Sequence, residues 1–376
     1  MVAEGEPHVL QKSTDYQKLI KEFGVTHLSK IIHLFKEPHY LIRRGIFFAH
    51  RDLDKILEMH REGKKFAIVS GRGPSHKIHL GHIFIFQFIK WFQDEYNAEV
   101  FIPLSDDEKY VYRKIASLEF AKYFAYDNAL DIAALGFKPE KTHFFISTEY
   151  TPVYKYAVLS ARHLTFNTIK AVFGFTQEIN IGAIFYPATQ ASHILLPTLM
   201  YDLPVLVPIG IDQDPYIRVS RDVADKLNIF KPAAIHSKFI PGLDGNPMSA
   251  SKPETSIFLN EDEDIVKKKI WNALTGGRGT LKEQRELGGV PDKCVVFDWF
   301  RMFFVKNDSE LAKIRDECKS GARLCGQCKK ELIQYVKDFL KMHKERRKET
   351  LPKLQSFFEH PIDENVVSKI EAETYE

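Results

Sequence analysis

Phe66-Ala67-Ile68-Val69-Ser70-Gly71-Arg72-Gly73-Pro74-Ser75-His76-Lys77-Ile78-His79-Leu80-Gly81-His82 is the stretch on which the fold turns. Phe66 to Val69 is a short apolar run with a β-branched end, the pattern of a buried strand. Ser70 to Ser75 then breaks regular structure. From His79 an amphipathic, aromatic-rich run to about Phe92 predicts a helix. A strand, a glycine-rich turn and a helix start leave backbone N–H groups free beside the positive end of the helix dipole, which suits phosphate oxygens. His79 and His82 are three apart and share a face of the first turn. Gly81 between them has no side chain, so a flat ring can lie against the backbone. The stretch reads as a nucleotide site whose imidazoles face phosphates. The plainer alternative is a turn followed by two ordinary helix histidines. Two other nucleotide patterns fail: the dinucleotide motif needs a third glycine where His76 stands, and no Gly-Lys-Ser/Thr of a Walker loop occurs in the chain.

Working outward, Val100 to Leu104 predicts a second strand, and strand–helix–strand makes a right-handed crossover with parallel strands. At its end stand Ser105-Asp106-Asp107-Glu108-Lys109. Acids there lie either where doubly wound folds bind ligands or in a helix first turn that favours them. Leu203 to Ile209 is a strongly apolar strand ending in Gly210-Ile211-Asp212-Gln213-Asp214-Pro215, with a helix expected from Tyr216 to Leu227. Ala233 to Ser237 predicts a last strand. Upstream, helices are expected over Tyr16 to Phe23 (capped by Asp15), Thr26 to Phe35 and Asp52 to Arg61, with residues 1–14 disordered. Between 110 and 200 amphipathic helices surround one strand, Thr142 to Ser147. Asp127 is expected to cap a helix from Asn128 to Leu135 that ends at Gly136, and Thr165 to Phe173 and Ile181 to Met200 read as apolar helices. Beyond 254 the alternation stops. Asp262 to Ala273, Asp308 to Asp316 and Lys329 to Lys348 predict helices, and the basic run from Lys329 to Lys353 is either a solvated face or an attraction for a phosphate backbone.

The chain has 376 residues, 44% hydrophobic and 27% charged, with a formal net charge of +3. This composition fits two or three globular domains, and any nucleic-acid binding must come from local patches. The four cysteines, Cys294, Cys318, Cys325 and Cys328, all fall in the last quarter. Cys325-x-x-Cys328 lacks a matching second pair nearby, so structural thiols are expected and no metal site is assigned. No run approaches the roughly 18–20 apolar residues of a membrane span. The N-terminus, with Glu4 and Glu6, lacks the apolar core of a signal peptide, so a cytoplasmic setting is expected.

His79-Leu80-Gly81-His82 after Gly71-Arg72-Gly73-Pro74-Ser75 resembles the first signature of class I aminoacyl-tRNA synthetases. The Gly-Arg-Gly-Pro-Ser lead-in narrows the resemblance to tryptophanyl-tRNA synthetases of the eukaryotic and archaeal type. Other stretches match in order: Tyr40 to Asp52, Asp106 to Lys109, Ile211 to Tyr216, Thr275 to Arg278 and Gly288-Gly289. Pro241 to Pro253, alone a linker, resembles the mobile second signature of that class. The resemblance covers roughly residues 15 to 350. It implies an α/β fold, with a Rossmann-like parallel-sheet catalytic domain over 61–253. A helical dimerisation insertion over about 110–200, an N-terminal helical extension over 1–60 and an all-helical anticodon-binding domain over 254–376 complete it.

The implied activity is tryptophan–tRNA ligation: ATP activates L-tryptophan to the adenylate, which is transferred to tRNA(Trp). The implied cofactors are ATP as substrate and Mg²⁺, and a homodimer is implied. His79, His82 and Lys252 are the implied catalytic groups. Arg72, Gly73, His79, Gly81, His82, Lys109, Met248, Ser249 and Ser251 would meet ATP, and Val69, Gly71, Glu108, Gln190 and Gln213 would meet the amino acid. The sequence departs from the pattern at three places: Pro247 stands at the second signature's opening lysine, Val69 at an indole-binding tyrosine and Pro103 at a glutamine. Those departures motivate a rival expectation, a synthetase-like protein with lost or altered activation that binds RNA or a partner. A nicotinamide-dependent oxidoreductase, the third reading, loses on the missing glycine.

Overall fold

A computed structural model describes residues 16–375; residues 1–14 and Asp15 lie outside them. The strands are β1 (Thr26–His27), β2 (Phe47–Arg51), β3 (Ala67–Val69), β4 (Glu99–Leu104), β5 (Thr142–Ile146), β6 (Val205–Gly210) and β7 (Ala233–Ser237). They form one seven-stranded sheet in the order β1-β2-β7-β6-β3-β4-β5. From β7 to β5 every pairing is parallel, as expected for a Rossmann-like sheet. These strands are buried almost end to end, the pattern of a sheet covered on both faces by helices. β3 pairs with β4 on one side and β6 on the other, so the chain's direction of travel reverses there. In open α/β sheets such a reversal opens a crevice beyond the carboxyl ends of the strands.

The first 60 residues, expected to be helical, also extend the sheet. β2 runs antiparallel to β7, and β1 antiparallel to β2. The helix expected over Thr26 to Phe35 is instead β1 followed by two 3₁₀ turns, Leu28–Lys30 and Ile32–Leu34. Edge pairing with β2 takes the backbone bonds of its first two residues, and the His27 ring accepts from the Ser29 N–H to close the first turn. The helix expected from Asn128 runs over Leu118–Ala133, capped by Ser117. Asp127 lies within it, buried, and accepts from Lys77 Nζ at 3.0 Å and from Arg347. Its carboxylate therefore serves long-range ion pairs and not a cap.

After 254 the helices Glu263–Trp271, Asp308–Lys319 and Cys325–Thr350 stand near their expected places. The sequence reading did not anticipate Leu281–Leu287, Val295–Trp299 or Glu364–Tyr375. This helical part shares one continuous apolar core with the sheet, from Ile68 and Val100 through Trp299 and Phe300 to Ile370. Arg347, within the basic helix, turns inward to Asp127 and Asp131. All four cysteines are free thiols bordering one small apolar pocket beside Phe297 and Phe300. Burial pushes Cys294, Cys318 and Cys328 above the usual thiol range, which suits a structural part.

Candidate active site

A cleft of about 260 Å³ opens beyond the carboxyl ends of β3, β4 and β6, against the Ile181–Tyr201 helix. All five residues expected on the amino-acid side, Val69, Gly71, Glu108, Gln190 and Gln213, border it. Strand ends bring Val69 and Gly71 there. Asp106–Val111 is a short helix starting at the end of β4, and it carries Glu108. Within the acidic cluster the roles divide. Asp106 accepts from the N–H of Thr148, tying β4's end to β5's. Burial, with Asp106 beside it, pushes Asp107 up to about 7. Glu108 Oε1 accepts from Lys109 Nζ at 2.9 Å, and this pair lies across Gly73. A Cβ at Gly73 would fall 1.9 Å from Lys109 Cε and 2.8 Å from Glu108 Oε2, so any larger residue there would displace this ion pair. In the Ile211 to Tyr216 stretch, Gln213 faces the cleft while Asp214 is buried against Arg51 and His236.

The loop after β3 stays partly in register with the sheet. Arg72 N–H donates to the Pro103 carbonyl at 2.8 Å and Ser105 N–H to the Arg72 carbonyl at 2.9 Å. The Arg72 guanidinium donates to Asn128 Oδ1 at 2.9 Å, and Asn128 in turn donates to the His76 carbonyl. Burial lowers the guanidinium pKa to about 10, which leaves it a cation at neutral pH.

His79 caps the Leu80–Tyr96 helix. Its Nδ1 accepts from the Gly81 N–H at 3.2 Å, and His82 Nδ1 accepts from the His79 N–H at 3.4 Å. The two rings lie 3.8 Å apart between centroids. Burial, aided by Arg72, pushes His79 down to about 3 and His82 well below the usual range. Both rings are therefore neutral, and with each Nδ1 accepting, the ring proton sits on Nε2. The site thus holds two uncharged N–H donors beside the cations Arg72 and Lys109.

At the helix start itself the backbone N–H groups are taken. Leu80 N–H donates to the Ile257 carbonyl at 2.9 Å, Gly81 N–H reaches His79 Nδ1 and Met248 Sδ, and His82 N–H donates to the His79 carbonyl. The Leu80 bond belongs to a short antiparallel pairing of residues 78–80 with 257–259. Any phosphate there meets imidazole N–H groups and the helix dipole instead.

The second signature is joined to the first through Met248, whose Sδ lies 3.2 Å from Gly81 N. Pro241 pairs with Pro247, and Met248 N–H donates to the Ile240 carbonyl, so the segment folds as a tight hairpin. Beyond it Ser249 and Ser251 bond one another at 2.9 Å. Lys252 is exposed, and its ammonium has no partner among the described residues. The structure therefore brings Met248 to the histidines but not Lys252. Pro247 borders a separate space of about 240 Å³ that also holds Lys238 and Arg301.

The sequence reading did not single out Tyr186, His193 or Tyr216, which also line the cleft. Tyr186 and His193 stand four before and three after Gln190, so helical spacing from Gln190 would have found both.

The sequence model of the family "tRNA synthetases class I (W and Y)" matches residues 61–341. The chain is similar to a tryptophan–tRNA ligase of Thermococcus onnurineus, 47% identical over 361 residues and 93% of each chain. One from Pyrobaculum aerophilum is 46% identical over 93% of this chain and 96% of that one. The structure is similar to the tryptophanyl-tRNA synthetase of Aeropyrum pernix, with TM-score 0.87 and 34% identity, covering 92% of this chain and 97% of that one.

Proposed function

From the premise that this chain belongs to the class I tRNA synthetases for tryptophan and tyrosine, and among them is a tryptophan–tRNA ligase, we propose that both its substrates meet along the β3–β4–β6 cleft. The carrying observation is that one cleft gathers all five expected amino-acid residues while Arg72 and Lys109, chain neighbours of its lining residues Gly71, Gly73 and Glu108, act electrostatically on His82.

The tryptophan carboxylate attacks the α-phosphorus of ATP, and pyrophosphate leaves. Little covalent work falls to the protein, so positioning and charge stabilisation supply the rate. Glu108, Gln190 and Gln213 offer oxygens to the substrate's ammonium group. Nε2–H of His79 and of His82 donates to phosphate oxygens as charge moves onto pyrophosphate. Arg72 and Lys109 add positive charge, Gly73 and Gly81 leave room, and Met248, Ser249 and Ser251 close over the triphosphate. Lys252, with no partner to hold it, is free to swing in and serve in place of the missing lysine at Pro247. Among the described residues no group of His, Cys, Asp and Glu is placed to hold a metal ion. Mg²⁺ therefore fits as a companion of the nucleotide's own phosphate oxygens and not in a protein cage. The adenylate then passes its tryptophanyl group to the terminal ribose of tRNA(Trp).

We assign anticodon reading to residues 254–376, supported by the basic Cys325–Thr350 helix. We assign the homodimer contact to the 110–200 insertion, supported by exposed apolar side chains at Val158, Leu159, Phe166 and Ile181. No described helix is long and apolar enough to cross a membrane; the cytoplasmic setting is assigned from the likeness to tRNA synthetases. Pyrophosphate exchange measured with each of the twenty amino acids tests the reading. L-tryptophan alone should stimulate it; background signal from folded protein with Mg-ATP would defeat it.

A further inference from the structure

The apolar end of the cleft poses a recognition problem. Val69, Pro103, Val207 and Ile194 meet there, and none of these side chains can hydrogen-bond. An indole placed among them would bury its N–H without a partner. One polar ring borders the same cleft from beside Ile194. His193 lies on the Ile181–Tyr201 helix, 3% exposed, with the ring of Phe145 6.0 Å away.

The ring's orientation follows from its neighbours. His193 Nε2 lies 2.9 Å from Ser147 Oγ, and the Ser147 hydroxyl points its own proton at the Leu104 carbonyl, 3.4 Å away. With the Ser147 hydroxyl donating to the Leu104 carbonyl, its oxygen accepts and His193 Nε2 carries the proton. Burial pushes the ring pKa down to about 3, so it is neutral and Nδ1 keeps its lone pair. Nδ1 has no hydrogen-bond partner among the described residues, and His193 borders the cleft.

We propose that His193 is the specificity-determining residue that accepts the indole N–H of tryptophan at Nδ1, with Ser147 fixing the tautomer that makes this possible. This rests on the reading that the cleft holds the amino acid. The helix sets the geometry: Gln190 and His193, three residues apart, face the same cleft from one turn. Gln190 then meets the polar end of the substrate and His193 the ring. A site built around a substrate N–H strongly rejects an analogue that lacks it, because the site's own acceptor is left unpaired.

The test compares L-tryptophan with benzothienylalanine, in which sulfur replaces the ring N–H, by kcat/KM of pyrophosphate exchange. The unaltered protein should prefer tryptophan by on the order of a thousandfold or more. His193→Phe should narrow that ratio by roughly a hundredfold, mainly through loss on tryptophan, and His193→Gln, which restores an acceptor, should recover part of it. A purely structural role would lower both substrates equally and leave the ratio unchanged, which would overturn the proposal. Should His193→Phe fail to fold, Ser147→Ala decides: it keeps the ring but frees the tautomer, and an unchanged ratio there would equally overturn it. Absence of any tryptophan-dependent exchange in the unaltered protein would instead overturn the reading beneath.

Discussion

The two signature segments touch at Gly81 and are built in opposite ways. The first is wired from every side. His79 accepts from the Gly81 N–H and His82 from the His79 N–H, the loop pairs with β4, and Lys77 behind it is anchored to Asp127, which Arg347 of the far helix bridges to Asp131. The second is a hairpin whose serines bond mainly to each other and whose lysine stands in solvent. The difference teaches where precision and movement are separated. On the proposed mechanism, the neutral donors that would meet phosphate oxygens at fixed distances are locked in place, and the cation that would act as charge develops is the mobile one.

The largest expected effect comes from cutting the wiring behind the first segment. Arg347→Ala leaves Asp127 and Asp131 buried without their shared cation, and removing one partner of a buried network costs about 3–5 kcal/mol. The denaturation midpoint should fall accordingly; a change within error would mean the network lends the first segment no support. Next comes the donor itself. His82→Ala should lower the exchange rate on the order of tenfold to a thousandfold with the fold intact; an unchanged rate removes the ring from the mechanism. In the second segment, Lys252→Ala should cost about tenfold in kcat with little change in melting temperature, since one charge on a developing anion is worth a few kcal/mol at most. Equal losses in stability and rate would contradict a free, mobile lysine.

The smallest effect is a slope. Histidines whose folded pKa is depressed bind protons more readily in the unfolded chain. Their contribution to stability is full above the unfolded value of about 6.5 and is lost as pH falls toward 3. His79 behaves this way, as do His39, His50 and His193. His79→Asn keeps a capping side chain but cannot titrate. Its melting temperature should therefore decline less steeply between pH 7 and pH 5 than that of the unaltered protein; parallel curves would show that His79 is not held neutral by the fold.

Much of this architecture was legible in the sequence. Apolar runs with turn signals after them located β3 through β7, because strands buried on both faces carry that pattern directly. The clustering of Glu108, Gln190 and Gln213 was legible only through the spaced motifs, since no local pattern says that three distant segments end at one cleft. What was missed depends on partners far along the chain. Asp127 looks like a helix cap until Lys77 and Arg347, 50 and 220 residues away, claim its carboxylate. At the helix start expected to leave N–H groups free, Ile257 takes that of Leu80, and His79 with Met248 takes that of Gly81. Thr26 to Phe35 has helix-compatible residues, but edge pairing with β2 overrides that preference.

The measurement closest to the central claim is a crystal structure with a non-hydrolysable ATP analogue and Mg²⁺. The account predicts phosphate oxygens about 2.7–3.2 Å from Nε2 of both His79 and His82, with both Nδ1 atoms still capping the helix. Phosphates lodged elsewhere, with both imidazoles facing empty water, would contradict it.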